Sequence, residues 1–360
     1  MKNYIFKAAY CTILLFLLNL TAFSQETWTW SYPSPQGNSL NSVTWVSGSV
    51  FIAVGDHGTI LRSTNDGVNW ISISSGVSTN LSKVRFASST TGYAVGASGT
   101  VLKTTDGGAT WSQSSSPDAN ELKAVCFTSE SVGYTGNSLG TVYKTTNGGT
   151  DWSQIHSGAG NITSIQFLDA KTGYLASNTG LYKTTNGGTI WTSPSTPNIT
   201  DMVFADASNG WYIYQNQLFQ TTNGGLNWLS NSGASGTSNS IAISNTNIFV
   251  AGSLTFVDKF TLSGTLSSSL YKPWGSMNSV AVNNVSVVIA VGEGGNIFKS
   301  TNNGTAWSGI LQEPNFFSLN SIAKKPNGNI FAAGENGTII SSSDDGVSWN
   351  QVASPSTSFI

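Results

Sequence analysis

The strongest constraint on the fold is an eight-residue phrase that returns seven times along the 360-residue chain. It begins with Ser or Thr, has Asp or Asn at its third position and Gly at its fifth, and ends in Trp. The copies end at Trp70, Trp111, Trp152, Trp191, Trp228, Trp307 and Trp349. The largest gap, between Trp228 and Trp307, fits two periods with one phrase lost. A period near 40 residues therefore predicts a solenoid, array or propeller of eight units.

Each unit contains short alternating runs of β-branched and aromatic residues, separated by Gly-rich turns. Four such strands per repeat predict an all-β, eight-bladed β-propeller of four-stranded repeats, each about 40 residues long. Seven blades are the alternative, if one end of the chain does not join the ring. The innermost strands are expected near residues 40–45, 81–86, 122–127, 162–167, 200–204, 239–243, 278–282 and 320–323.

The repeated phrase is expected to shape the turn before the outer strand. Its Asx side chain should accept hydrogen bonds from backbone amides two residues on, and the Gly should take a positive φ. The closing Trp should pack between blades as the main apolar anchor. The predicted Asx positions are Asn65, Asp106, Asn147, Asn186, Asn223, Asn302 and Asp344. A basic residue precedes five copies and is expected to be a solvated or snorkelling strand-end side chain, with weak anion or partner binding as the alternative: Arg62, Lys103, Lys144, Lys183 and Lys299.

The N-terminus is predicted to be a secretory signal over residues 1–24. Lys2 and Lys7 precede an apolar run, and Ala22-Phe23-Ser24 offers a cleavage site. One propeller domain should fill residues 25–360, with repeats ending near 70, 111, 152, 191, 228, 268, 307 and 349. The mature chain has no apolar segment long enough to span a bilayer. The protein is thus expected to be secreted, periplasmic or on the cell surface, and monomeric.

Charge excludes one class of partner. Charged residues make up 9% of the chain and the net charge is −2, so nothing favours binding to nucleic acid. The two histidines fall in different repeats and no Cys/His cluster exists, so neither a metal nor another cofactor is expected.

The phrase, together with GYAVG at 92–96 and LKTTDGG at 102–108, resembles the Asp-box, or bacterial neuraminidase repeat. The fuller pattern resembles propellers related to the photosystem II stability and assembly factor. That resemblance implies a propeller with the Asp-boxes on one face and the turns between second and third strands on the other. It also implies a basic patch that contacts a membrane-protein partner. Asp-box turns occur in sialidases, xyloglucanases and non-enzymatic propellers, so activity is left open.

Sialidase activity is argued against by the arginine count. Those enzymes hold the substrate carboxylate with three arginines, and this chain has only Arg62 and Arg85. A glycosidase that uses two carboxylates stays open. The enzyme question is therefore undecided, and the sequence favours a non-catalytic protein with no assigned catalytic residue.

A ligand site is predicted on the face opposite the Asp-boxes. Asp56, Glu293 and Glu335 occupy equivalent turns of repeats 1, 7 and 8, which would be consecutive in a closed ring of eight. Aromatic and amide groups join them in the same sector: Trp274, Phe316, Phe317, Asn41, Asn278 and Asn320. Such a surface suits sugar or peptide recognition. Solvated turn residues with no ligand are the alternative explanation.

Two functions follow from these patterns. The first is a secreted non-catalytic scaffold that binds a protein partner and resembles the photosystem II assembly factor. The second is an extracellular glycan-binding protein or glycoside hydrolase of the Asp-box propeller type. The sequence does not identify the partner or the glycan.

Overall fold

The computed structural model describes residues 37–193, 198–271, 275–283, 286–309, 319–324, 329–334, 339–343 and 350–352. These residues form 31 short β-strands and three short 3-10 turns, so the all-β prediction is confirmed. Within these ranges, no helix has the length and apolar character needed to cross a membrane. The predicted signal peptide lies outside the described residues.

The strands form eight antiparallel sheets, one per repeat, each running in chain order from an inner to an outer strand. The first four sheets contain β1 (Leu40–Ser47), β2 (Val50–Gly55), β3 (Ile60–Ser63), β4 (Ile71–Ile73), β5 (Leu81–Phe86), β6 (Gly92–Gly96), β7 (Val101–Thr104), β8 (Ser112–Gln113), β9 (Leu122–Phe127), β10 (Gly133–Asn137), β11 (Val142–Thr145), β12 (Ser153–His156), β13 (Ile162–Phe167), β14 (Gly173–Ser177) and β15 (Gly180–Thr184). The fourth sheet has three strands, and its outer edge is reduced to a bridge between Lys183 and Thr192.

The last four sheets each have four strands. They contain β16 (Asp201–Phe204), β17 (Gly210–Tyr214), β18 (Gln217–Thr221), β19 (Leu229–Gly233), β20 (Ser238–Ile243), β21 (Asn247–Gly252), β22 (Phe256–Thr261), β23 (Leu266–Tyr271), β24 (Met277–Val282), β25 (Val288–Gly292), β26 (Ile297–Ser300), β27 (Ser308–Gly309), β28 (Leu319–Lys324), β29 (Ile330–Gly334), β30 (Ile339–Ser342) and β31 (Asn350–Gln351). The 3-10 turns are Asp56–Gly58, Ala97–Gly99 and Glu293–Gly295.

Seven of these sheets form a closed ring. Each inner strand packs on the next, from β1 through β5, β9, β13, β16 and β20 to β24, and β24 packs back on β1. At this seam the Val43 amide donates to Ser279 Oγ (3.2 Å), and Asn278 Nδ2 donates to the Leu40 carbonyl (3.1 Å). One cavity along the axis is lined by the inner strands of all seven sheets. The propeller fold is confirmed, and its ring matches the seven-bladed alternative.

The eighth sheet forms, but it does not lie between the seventh and the first. The expectation that repeats 7, 8 and 1 are consecutive is therefore wrong in this structure. The reason is that sheet 1 draws all four strands from its own repeat, and its inner edge already satisfies the hydrogen-bonding groups of Asn278 and Ser279. Ile322, on the inner strand of the eighth sheet, is 67% exposed, whereas the corresponding Val280 in the ring is 5% exposed.

A repeated pair of hydrogen bonds joins the inner strands. The second residue of an inner strand donates to the first carbonyl of the next strand, as Asn41 does to Leu81 (3.1 Å) and Asn239 to Met277 (3.0 Å). The third residue accepts from the fourth amide of the next strand, as at Ser42 and Ser240, and Asp201, the first residue of the shorter strand β16, makes the equivalent bond. The Asn-Ser pairs singled out in the sequence therefore connect neighbouring blades.

The repeated phrase forms the turn between the third and fourth strands. In the six described copies the Asx Oδ1 accepts from the backbone amide four residues on, at 2.7–3.0 Å, not two residues on as predicted. The reason is that the amide two residues after the Asx, that of the fifth-position Gly, donates instead to the hydroxyl of the first residue of the phrase. Thr104 shows this arrangement: its Oγ1 accepts from the Gly108 amide and donates to Asp106 Oδ1. The fifth-position Gly has a positive φ in each described copy, as predicted. Asp344 and Trp349 lie outside the described residues.

The closing Trp residues pack between neighbouring sheets, as predicted. Trp70 is buried among side chains of sheets 1 and 7. Trp111, Trp191, Trp228 and Trp307 are partly buried against clusters that each draw on two adjacent sheets. Because these four side chains are only partly buried, each stabilises the fold by less than a fully buried indole ring would.

Candidate functional site

The central channel has two ends with different chemistry. The inner strands run in the same direction, so their first residues form one end and their last residues the other. We call the first end the channel mouth; it is a cavity of about 380 Å³ lined by Asn41, Asn80, Ser82, Lys83, Glu121, Lys123, Asn161, Ile162 and Thr163. We call the second end the inner cavity, which has a volume of about 310 Å³. Its lining includes Thr44, Arg85, Cys126, Gln166, Val203, Ala242 and Ala281.

The channel mouth opens on the face where the ligand site was predicted. Turns between second and third strands bond there to the residue just before an inner strand: the Asp56 amide to Ser39, Ala97 to Asn80, and Ser138 to Glu121. The repeated phrases bond instead to the turns between first and second strands, as Gly107 does to Thr90. The two kinds of turn therefore occupy opposite faces, as the resemblance implied.

Charged and amide groups line the mouth. Lys123 Nζ lies 2.7 Å from Glu121 Oε1, and both side chains are about one-third exposed. Ser82 Oγ also donates to Glu121 Oε1 at 3.0 Å. Asn161 Oδ1 is buried and accepts no hydrogen bond from the residues that the structure describes. A buried amide oxygen without a donor favours a ligand that brings an N–H or O–H group.

An ion pair crosses the channel below the mouth. Lys83, on sheet 2, reaches Asp201 Oδ2 on sheet 5 at 3.9 Å. Asp201 also accepts from the Met202 and Ile241 amides, at 2.9 and 3.3 Å. Burial lowers the pKa of Lys83, and the nearby Asp201 carboxylate partly opposes that shift. The sequence gives no sign of this pairing, because Asp201 is contributed by a sheet across the ring.

Two of the predicted acidic residues are brought together. Asp56 and Glu293 occupy equivalent turns of sheets 1 and 7, which are neighbours in the ring. Both turns bond to Ser39: the Asp56 amide donates to its carbonyl (2.9 Å), and the Gly294 amide donates to its Oγ (3.4 Å). Asn41 connects this pair to the channel mouth, because its Nδ2 donates to Asp56 Oδ1 at 2.9 Å.

The other predicted site residues divide into two groups. Asn278 has its amide donor engaged at the seam with sheet 1, so it has a structural role there. Asn320 belongs to β28, on the eighth sheet. Glu335, Trp274, Phe316 and Phe317 lie outside the described residues. The acidic, amide-rich and aromatic sector stays a prediction, with Asp56, Glu293 and Asn41 as its described part.

Sequence reasoning missed the role of the basic residues before the phrase. Lys103, Lys144 and Lys183 each donate Nζ to a Gly carbonyl in the phrase of the next sheet, at 2.8–3.1 Å. Each ammonium group also lies 5.2–5.4 Å from the centroid of a Tyr ring. These side chains clamp adjacent blades, so the expectation of a solvated strand-end residue is wrong. Only their five-fold recurrence beside the phrase hinted at a shared contact.

Metal chemistry has no visible support in the described ranges, where no three His, Cys, Asp or Glu side chains come together.

Comparison with known proteins places the chain among propellers. Residues 68–196 match the family described as photosynthesis system II assembly factor YCF48. No curated protein matches the sequence. The solved structure of YCF48 bound to a D1 peptide is 17% identical, with a TM-score of 0.56, over 70% of this chain and 87% of that one. YCF48 from Cyanidioschyzon merolae is 18% identical, with a TM-score of 0.53, over 70% and 91%.

Glycoside hydrolases of family GH74 share the fold. An ancestral GH74 enzyme is 16% identical, with a TM-score of 0.66, over 90% of this chain. The chain spans only 55% of that enzyme's length. At these identities the likeness shows the fold alone. The chain is thus an Asp-box-like propeller that resembles the YCF48 family.

Proposed function

We propose that this protein is a secreted or envelope-associated, non-catalytic scaffold that binds an extended segment of a protein partner at the channel mouth. The carrying observation is the buried Asn161 Oδ1, which lacks a donor beside the Lys123–Glu121 pair. An extended peptide offers backbone N–H groups for the amide oxygen and carbonyls for the ammonium group. The YCF48 structure with a bound peptide supports a peptide ligand for a propeller of this kind.

The scaffold role is tested by selecting peptides on the purified protein and measuring their affinity by fluorescence anisotropy. Lys123→Glu should lower the affinity for a selected peptide by about tenfold, because it places a second carboxylate beside Glu121 at the channel mouth. Lys171→Glu is the matched control: it makes the same charge change on an exposed residue in the turn between β13 and β14, on the opposite face. Equal affinities for the two variants would reject the mouth as the binding surface.

Glycan binding or hydrolysis is the second candidate, and the Asp56–Glu293 arrangement is the observation that favours it. Two carboxylates on neighbouring turns of one face are the minimum that a glycosidase needs. The test is a glycan array followed by polysaccharide hydrolysis with Asp56→Asn and Glu293→Gln. Hydrolysis that both variants abolish would establish the enzyme. Absence of glycan binding and of hydrolysis in the unmodified protein would reject it.

A further inference from the structure

The inner cavity contains a single charged side chain among its described lining residues, Arg85. Arg85 is the fifth residue of inner strand β5. The corresponding residues across the ring are Val203, Ala242 and Ala281, which are small or apolar. Arg85 therefore lines the open space along the axis, and these three opposing positions place no polar side chain against it.

The hydrogen bonds of Arg85 are incomplete. Its Nη1 donates to the Val84 carbonyl at 2.9 Å, and no carboxylate of the described residues lies within ion-pair distance. A guanidinium carries five N–H donors, so most of them have no protein acceptor in the described part of the chain. Asp201, the nearest acidic group named in the channel, is already engaged by Lys83 and two backbone amides.

The polar neighbours of Arg85 on the same layer bond elsewhere, and Thr44 Oγ1 donates to the Trp45 carbonyl at 3.2 Å. Gln166 uses both ends of its amide on Phe204, with its Oε1 accepting at 2.8 Å and its Nε2 donating at 2.9 Å. Cys126 Sγ accepts from the Phe167 amide at 3.4 Å. Burial lowers the pKa of Arg85, an effect that the Asp201 carboxylate only partly opposes, and burial raises the pKa of Cys126, so the cavity disfavours unbalanced charge.

We propose that Arg85 anchors an oxyanion site in the inner cavity, which takes a carboxylate or a free oxyanion of similar size. The guanidinium fork pairs with two oxygens of such a group, and the apolar wall opposite accommodates a short carbon chain. The anion supplies acceptors for the guanidinium donors that the described residues leave free, and its charge balances that of Arg85. This site is separate from the channel mouth and does not depend on the peptide-binding proposal.

The chain offers a matched control, because Arg62 is its only other arginine. Acetate, sulfate and a short peptide with a free or an amidated C-terminus are titrated calorimetrically at constant ionic strength. Arg85→Gln should weaken the binding of whichever oxyanion binds by at least about tenfold, whereas Arg62→Gln should not change it. Preference for the free peptide over its amide identifies a peptide carboxylate, and binding of acetate or sulfate alone identifies a free anion. Absence of binding by all probes would overturn the proposal.

Cys126 gives a second measurement that needs no Arg85 variant. In the full chain with Cys11→Ser it is the sole thiol, and it lines the same cavity. A sulfonate-bearing thiol reagent should modify it faster than a trimethylammonium-bearing one, and the bound oxyanion should slow that modification several-fold. Equal rates for both reagents, with no protection by any oxyanion, would reject the site even if Arg85→Gln failed to fold.

Discussion

Two halves of the ring join their blades by different chemistry. In sheets 2 to 4 a Tyr of the second strand stacks on a Phe of the next sheet, as Tyr134 does on Phe167 with centroids 3.7 Å apart and planes within 8°. In sheets 7 and 1 the equivalent residues are Ile289 and Ile52, which press against Gly67 and Gly108 of the next sheet. The aromatic half relies on stacking, and the aliphatic half relies on close backbone approach.

The inner strands differ between the same halves. Sheets 6, 7 and 1 carry the Asn-Ser pair, whose side chains bond to the next inner strand. Sheet 2 has Ser82-Lys83 and sheet 3 has Lys123-Ala124 at those positions. Lys83 and Lys123 therefore present ammonium groups to the channel, and Ser82 bonds to the Glu121 side chain rather than to an inner-strand carbonyl. Where aromatic stacking joins the blades, the inner-strand positions of sheets 2 and 3 are therefore free to carry charged side chains.

Loss of a stacked Tyr should have the largest effect on stability. Tyr134 is fully buried, and Tyr134→Ala should lower the free energy of unfolding by about 3–5 kcal/mol, as for other large aromatic deletions. Tyr134→Phe keeps the stack and loses only the 3.2 Å bond to Gly187, so it should cost about 1 kcal/mol. Urea unfolding followed by circular dichroism measures both. Similar losses for the two variants would contradict the central role of the stack.

Ile289→Val is the counterpart in the aliphatic half and should cost about 0.5–1.5 kcal/mol. If Ile289→Val lowered the free energy of unfolding by much more than Tyr134→Phe does, the contrast between a stacked aromatic half and an aliphatic half would be contradicted.

The seam between sheets 7 and 1 should show a smaller effect than the loss of Tyr134. Ser279→Ala leaves the buried Val43 amide without an acceptor, so it should lower the free energy of unfolding by about 1–3 kcal/mol. Ser321→Ala makes the same change in the same Asn-Ser dipeptide on the exposed strand of the eighth sheet, and should cost less than about 0.5 kcal/mol. A larger cost for Ser321→Ala would mean that the eighth sheet lies at the seam.

The sequence predicted the blades well because strand alternation and turn chemistry are local. All eight inner strands fall where the alternating runs placed them. The seam could not be predicted in this way, because Asn278-Ser279 and Asn320-Ser321 are the same dipeptide. What separates them is which sheet edge each meets, and that depends on how seven sheets close a circle.

The candidate site divides in the same way into local features, which the sequence predicts, and long-range ones, which it does not. The sequence predicted that Asp56 and Glu293 lie in one sector because they occupy equivalent turns of their repeats. The Lys83–Asp201 pair spans 118 residues of chain and joins sheets that are not neighbours, so no spacing rule indicates it. Arg85 entered the sequence argument only as part of a count, since its place on the axis exists only once the ring is closed.

The contact of Lys144 with the next blade should contribute less to the stability of the aromatic half than the stacked Tyr134 does. Lys144→Met keeps the aliphatic stem but loses the 3.1 Å bond to Gly187 and the ammonium group above Tyr134. The free energy of unfolding should fall by about 0.5–1.5 kcal/mol, measured again in urea. Lys171→Met, at an exposed turn position, is the control and should have no measurable effect. An equally small change at Lys144 would return that residue to the solvated role expected from the sequence.

The smallest effect should be the pH dependence of stability that comes from the Asp106 carboxyl group in the phrase of sheet 2. Thr110, mainly through its hydroxyl, holds the pKa of Asp106 at about 2, below its usual 3.8. A carboxyl group with a depressed folded-state pKa stabilises the fold above about pH 4, and this contribution is lost as pH falls towards 2. Asp106→Asn installs the residue that the other described copies carry at this position, and removes the titration. The difference in urea midpoint between the protein and this variant should therefore shrink from pH 6 to pH 2.5. A difference that stays constant across that range would show that the Asp106 carboxylate adds nothing to this turn beyond the geometry that Asn provides.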